Sequence, residues 1–578
     1  MNNTFYTLLV FSWVILSGCG EQHSNQIPLA NNTPTNNTPV SNTLVNKATS
    51  TEIWQADLEN GNYQNPILYA DYSDPDVVRV GDDYFMTASS FNSAPGLPVL
   101  HSKDMVNWTL IGHALNKLVP ENNFAIPQHG NGVWAPNIRY HNNKVWIFYP
   151  DPDYGIYMLQ TEDPFKGWSE PKLILPGKGI IDPTPMWDDD GQSYLLHGWA
   201  KSRSGINNIL TLHKMSANGT QVEAEGETII DGHKLEGYRT LEGPKFYKRN
   251  GYYYVFAPAG GVPVGWQAVF RSKNIYGPYE HKSVMEQGTS LTNGPHQGAW
   301  VTTQTGEDWF FHFQSKLAYG RIVHLQPMQW VNDWPVIGED KNRDGVGQPV
   351  TQHKKPNVGA TYPIKIIPTS DTFDSPNLGK QWQWAANYKN EWYSLTDRPG
   401  YLRLFAQTDV DPENNNLWMA PAVLFQKISG PKFIAETTIE IPESFSKGST
   451  GLMIFGEDYA WAGIKFNEQL QAYELGYAYC HNARKGCGEG FRVEKTFKEK
   501  TLSLRASWFE GGGVVFSYLD STGRYKGIGE LFQARRGRWV GAKIGLFART
   551  SKHNPTAPNK LDSGNYIDYS GVRIYKAD

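Results

Sequence analysis

Short apolar runs alternating with polar positions, and broken by Gly, Asn, Asp and Pro, cover most of this chain, and a period of two predicts strands throughout. The first clear signal is a short strand at residues 77–80, a turn at Gly81-Asp82-Asp83, and a returning strand Tyr84-Phe85-Met86-Thr87-Ala88. It returns at Asn142-Asn143-Lys144-Val145-Trp146, at Asp190-Gly191-Gln192-Ser193-Tyr194, at Asn250-Gly251-Tyr252-Tyr253-Tyr254 and at Thr305-Gly306-Glu307-Asp308-Trp309. Five copies roughly 50 to 60 residues apart fit one four-stranded blade each. A second recurring element, at 101–108, 160–164 and 271–277, reads as the turn between the outer strands of a blade. The prediction is an all-β chain with a five-bladed β-propeller over residues 61–340.

Beyond residue 368 nothing repeats the propeller signal. Runs such as Phe433-Ile434-Ala435-Glu436-Thr437-Thr438-Ile439-Glu440 and Val514-Val515-Phe516-Ser517-Tyr518 are half-buried strands between polar turns, so residues 369–578 read as one β-sandwich. Residues 341–368, with charge, Gly and Pro, read as a linker. At the other end, the apolar run 8–16 is too short to span a bilayer and leads into Leu16-Ser17-Gly18-Cys19, which resembles a bacterial lipoprotein signal. Residues 1–19 are expected to be that signal, with Cys19 lipidated. Residues 20–60, rich in Asn, Thr, Pro and Ser, are expected to be a disordered tether. The expected location is the bacterial cell envelope, with the membrane a partner through the lipid alone.

Composition narrows the partner. The chain has 20 Trp and a formal charge of −4, and no Lys/Arg block stands out, which argues against nucleic acid. The three cysteines are Cys19, Cys480 and Cys487, and the last two read equally as one disulfide or as two free thiols.

In a propeller the innermost strands start at one end of a central channel, so residues at those starts converge. Asp74 before Pro75, Asp182 before Pro183 and Glu242 in Leu241-Glu242-Gly243-Pro244 fall at three such starts, read as equivalent positions. A lone Asp-Pro is a turn residue, but three carboxylates facing one cavity raise one another's pKa and cost stability unless used. Asp188, Asp189 and Asp190 fall on a hairpin turn and read as solvated. Hydrolysis of a glycoside by direct displacement needs a carboxylate to activate water and a protonated carboxyl to donate to the leaving oxygen. Trp134 opens the second blade, where it either stacks a sugar ring or packs in the core. His296 opens the fifth and is expected at the axis. Arg321 could bond sugar hydroxyls or the catalytic acid.

These segments, with Gly132-Val133-Trp134-Ala135-Pro136 and Gly320-Arg321, resemble glycoside hydrolase family 43 over about 65–338. The resemblance implies an inverting, exo-acting β-xylosidase or α-L-arabinofuranosidase acting on plant or algal polysaccharide. Asp74 would match the general base, Asp182 the pKa modulator, Glu242 the general acid and Arg321 a substrate-binding arginine. It implies no required cofactor, with a structural calcium near His296 as an open expectation. Residues 369–578 look like the lectin-like (concanavalin-like) sandwich of that family's β-xylosidases. That domain could lend a loop to the pocket, bind polysaccharide, or only support the propeller, the last being the default expectation. The rival from another class is a non-catalytic surface glycan-binding lipoprotein.

Overall fold

The computed structural model describes residues 53–408, 416–445, 447–486, 488–550 and 564–577. The expected signal peptide with Cys19, residues 20–52 of the expected tether, and Cys487 lie outside them. Cys480 is buried and disulfide-bonded.

Each blade is built from four consecutive strands paired in chain order. Blade 1 holds Asp76–Val80, Asp83–Thr87, Gly96–Ser102 and Trp108–Leu115. Blade 2 begins at Asn137–His141, blade 3 at Ile180–Trp187, blade 4 at Lys245–Arg249 and blade 5 at His296–Thr302. All five sequence-marked hairpins are the turns between the first and second strands. Strands in the middle of a blade are buried on both faces, which is why Val145-Trp146-Ile147-Phe148-Tyr149 reads as a continuous apolar run rather than an alternation.

No blade is shared between the chain ends, so the ring needs another closure. Side chains supply part of it: Arg79 Nε donates to the Thr302 carbonyl at 2.8 Å, and the Tyr84 hydroxyl to Gln304 at 2.6 Å. The rest comes from the chain just ahead of blade 1 and from residues expected to be a linker. Asn62–Gln64 pairs antiparallel with Gln352–Lys354, Leu68 bridges Val323 of blade 5, and the Tyr63 hydroxyl donates to the Leu325 carbonyl. The tether assignment for residues 53–60 is therefore corrected, as is the reading of 341–368 as a mere linker. Trp54 packs edge-on against Tyr69, and buried Asp57 takes Lys355 Nζ at 2.7 Å and Asn107 Nδ2 at 2.9 Å. Composition cannot reveal this, because each partner is remote in sequence. Asp188 is also corrected: its carboxylate is buried, bound by Lys248 and by the Tyr253 hydroxyl, and joins blade 3 to blade 4.

The sandwich has one seven-stranded and one eight-stranded sheet among the described residues. Phe433–Glu440 alternates buried and half-buried residues at every step, the mark of a strand with one face in the core. That core runs on into the propeller through Tyr69, Ala318, Tyr319 and Ile322. Backbone bonds fasten the contact. Trp384 N–H donates to the Ala94 carbonyl, and Ala542 N–H to that of Ala318.

Candidate active site

Counted back from each hairpin turn, Asp76, Asn137, Thr184, Lys245 and Ala299 are equivalent residues of the five inner strands. Two residues earlier stand Asp74, Ala135, Asp182, Gly243 and Gln297. Glu242 is thus one residue out of register with the two aspartates, and shares its level with Trp134 and His296; the expectation of three equivalent positions is corrected. The reason lies in the backbone. Asp74, Asp182, Gly243 and Gln297 all take left-handed φ, at 55°, 54°, 61° and 36°. For side chains other than glycine this is strained and is held in place by surrounding structure. In blade 4 a glycine occupies the kink and the carboxylate comes from the residue before it.

The three acids are brought together in different surroundings. Asp74 is ion-paired: Arg321 Nη1 lies 2.7 Å and 3.0 Å from its two oxygens, and the Ser89 hydroxyl donates at 2.6 Å. Asp182 is buried and accepts the Gly243 N–H at 2.8 Å, which fixes it beside Glu242. Burial raises its pKa to about 6 against that hydrogen bond, with the Asp74 charge adding to the rise. Glu242 goes further, to about 8, through burial first and the Asp182 charge second; Arg321 opposes and Asp74 assists. Its side chain keeps 29% of its surface open to the pocket while standing deep among protein atoms. Beneath this level, Asp76 is neutralised by Arg139 at 2.8 Å, and buried Lys245 lies 3.8 Å from it.

His296 is buried with Nε2 3.6 Å from Glu242 Oε1, and burial lowers its pKa to about 3, so the ring is neutral. Neither ring nitrogen has a protein hydrogen-bond partner, and Ser73, Thr87 and Asn137 each carry a similarly unpartnered buried atom. An unpartnered imidazole 3.6 Å from Glu242 is fitted to a water or a sugar hydroxyl. Among the described residues no group of three or more His, Cys, Asp or Glu is placed to hold a metal ion together.

Trp134 is half-buried at the rim, its indole N–H on the Gly130 carbonyl and its ring 6.3 Å from Phe91. The sandwich reaches this rim. Trp539 stands 6.4 Å from Trp134, and Arg538 lies against Gly130, where an added Cβ would come within 2.4 Å of its Cγ. Asp71 joins the domains, accepting Arg321 N–H on one oxygen and Gly541 N–H on the other. The default expectation that the sandwich only supports the propeller is therefore replaced by a loop at the pocket edge. Sequence reasoning passed over Asp71, Ser89, Arg203, Arg538 and Trp539. One signal was visible: Arg535-Arg536-Gly537-Arg538-Trp539 is a basic run next to an aromatic, hidden by the near-neutral chain average.

A propeller channel holding an ion-paired carboxylate beside a buried, proton-retaining one defines a glycosidase. Residues 63–335 match the family of glycosyl hydrolases numbered 43, and 370–566 match the β-xylosidase C-terminal concanavalin A-like domain. A β-xylosidase from Formosa agariphila is 32% identical over 549 residues, covering 86% of this chain and 89% of that protein. A non-reducing-end α-L-arabinofuranosidase from Bacteroides ovatus is 29% identical over 428 residues, covering 70% and 76%. The solved xylan β-1,4-xylosidase from Bacillus halodurans superposes with a TM-score of 0.76 at 22% identity, over 89% of this chain and all of that one, a likeness of fold. The chain belongs to glycoside hydrolase family 43.

Proposed function

We propose that this protein is an exo-acting, inverting β-xylosidase that removes terminal xylose from plant or algal oligosaccharides and polysaccharides. The observation that carries the reading is the split between its carboxyls. Asp74, paired with Arg321, is the general base that takes a proton from water. Glu242, whose carboxyl keeps its proton to about pH 8, is the general acid that gives one to the leaving oxygen. Asp182 touches neither reacting atom and acts as the positioning and pKa-raising residue. Trp134 and His296 line the sugar site, and no step requires a cofactor. Binding alone has no use for a protonated acid, which disfavours a non-catalytic glycan-binding lipoprotein.

The second reading, α-L-arabinofuranosidase, is supported by the Bacteroides ovatus relative. Nitrophenyl β-xyloside and nitrophenyl α-L-arabinofuranoside separate the two. Proton NMR of early product checks inversion: the α anomer of xylose from a β-xyloside supports it, and the β anomer appearing first overturns the role given to Asp74. Lipid attachment at Cys19 would hold the enzyme at a bacterial envelope membrane. A Cys19→Ala variant should leave the detergent phase in a phase-partition assay, and retention there would refute the anchor.

A further inference from the structure

Arginines gather at the pocket rim of a chain whose overall charge is −4. The Arg203 guanidinium lies over the Trp134 ring at 5.4 Å, Trp134 adjoins Trp539 at 6.4 Å, and the Arg538 guanidinium lies over Trp539 at 4.3 Å. Two cations thus flank a tryptophan pair, one contributed by the propeller and one by the sandwich. Arg203 is held by Asp153 at 3.2 Å and by Asn131 at 2.7 Å. Arg484 and Arg535 share Glu457, and Arg535 also reaches Asp458.

Arg538 is different. It is half-buried, its ring contacts are the ones just given, and no carboxylate or carbonyl among the described residues takes a hydrogen bond from it. Burial, then Arg484, and further Arg203 and Arg536, press its pKa downward, with Glu457 alone opposing. A guanidinium with five donors, partly out of water and beside other guanidiniums, is costly unless an anion completes it. Arg538 also lines a small cleft with Asn92 and His129, whose ring burial keeps neutral.

In an exo-acting enzyme the sugar to be released fills the pocket, and the rest of the substrate lies at the mouth. We infer that the rim selects a substrate whose next sugar, on the leaving side, carries a negative charge, a uronate carboxylate or a sulfate ester, with Arg538 as its principal partner. The shared chemistry is a planar or tetrahedral oxyanion offered to a free guanidinium fork. The inference rests on the β-xylosidase reading.

The test uses the full chain and three disaccharides with β-linked xylose at the non-reducing end: xylobiose, one whose second sugar carries a sulfate ester, and one whose second sugar is a uronic acid. At low salt, kcat/KM for one of the charged substrates should exceed that for xylobiose by about tenfold, the scale of one charge-assisted hydrogen bond. The advantage should shrink in high salt, because the rim is open to solvent. Arg538→Gln should bring the charged-to-neutral ratio close to one, and Arg538→Lys should keep part of it. Whichever charged substrate is faster identifies the oxyanion. A ratio near or below one in the parent enzyme overturns the inference, as does a ratio that survives Arg538→Gln in a variant with an unaltered melting temperature. Failure to cleave any xyloside, aryl glycosides included, instead removes the β-xylosidase reading and the inference with it.

Discussion

Replacing Asp182 by Asn tests how this site keeps a carboxylic acid protonated near neutral pH. The change is nearly isosteric, and the new amide oxygen can still accept the Gly243 N–H that holds Asp182 at 2.8 Å, so the kink at the start of blade 3 should persist. What disappears is one negative charge beside Glu242. Two unit charges about 6 Å apart at an effective dielectric of about 20 interact by roughly 3 kcal/mol, and one pH unit corresponds to about 1.4 kcal/mol. Burial, the larger cause of the rise to about 8, remains. Glu242 should therefore lose its proton at lower pH, but still above the ordinary glutamate range. The basic limb of kcat/KM should move down by about one to two pH units. Xylobiose is the substrate to use, because its poor leaving group needs the acid; an aryl xyloside would mask the effect. A limb that stays where it is, with kcat/KM lowered equally at every pH, would refute a charge-mediated role and leave Asp182 a purely steric support.

Asp74→Asn should cut turnover on every substrate by a factor on the order of 10² to 10⁴, with the melting temperature little changed; near-normal rates would move the base to another residue. Glu242→Ala should lose far more rate on xylobiose than on nitrophenyl xyloside, and equal losses on both would remove the proton-donor assignment. Glu242→Gln should narrow the pH dependence of stability. A folded-state pKa raised to about 8 means the native state binds the proton more tightly than the unfolded chain, so wild-type stability from this group is present at low pH and falls as pH rises toward 8. The variant's melting temperature relative to wild type should therefore climb between pH 5 and pH 8.5, by about 2 °C, and a flat difference would contradict the burial of this acid. Asp57→Ala should destabilise by on the order of 2 kcal/mol by leaving Lys355 unpaired and Asn107 with Asp104 as its remaining carboxylate partner, and limited proteolysis should then cut first near residues 341–368.

Much of the propeller was legible because its signals are local. A hairpin turn and the run on each side of it lie within about ten residues, and five copies fix both the blade count and the channel end at which Asp74, Asp182 and Glu242 meet. The sandwich strands were legible for the same reason, as in the alternation of Phe433–Glu440. The offset of Glu242 was not, since it depends on which residue adopts left-handed φ, and Glu-Gly-Pro looks much like Asp-Pro until blades are counted in register. Nor were the strap made by residues 53–64 and 352–355 or the loop at Arg538 and Trp539. Those arise from pairings such as Asp57 with Lys355 and Asp71 with Gly541, separated by 298 and 470 residues, for which one sequence carries no local mark.

Asp71 has implications for how such enzymes are inherited. One of its oxygens is satisfied by the sandwich backbone at Gly541, the other by the backbone of Arg321, whose side chain grips Asp74. A recombination event that joined this propeller to a foreign sandwich would leave Asp71 short of a donor one step from the water-activating carboxylate. The two domains should therefore travel through genomes as a single cassette, and chimaeras built from them should be joined only where both halves of the Asp71 bridge come from the same parent.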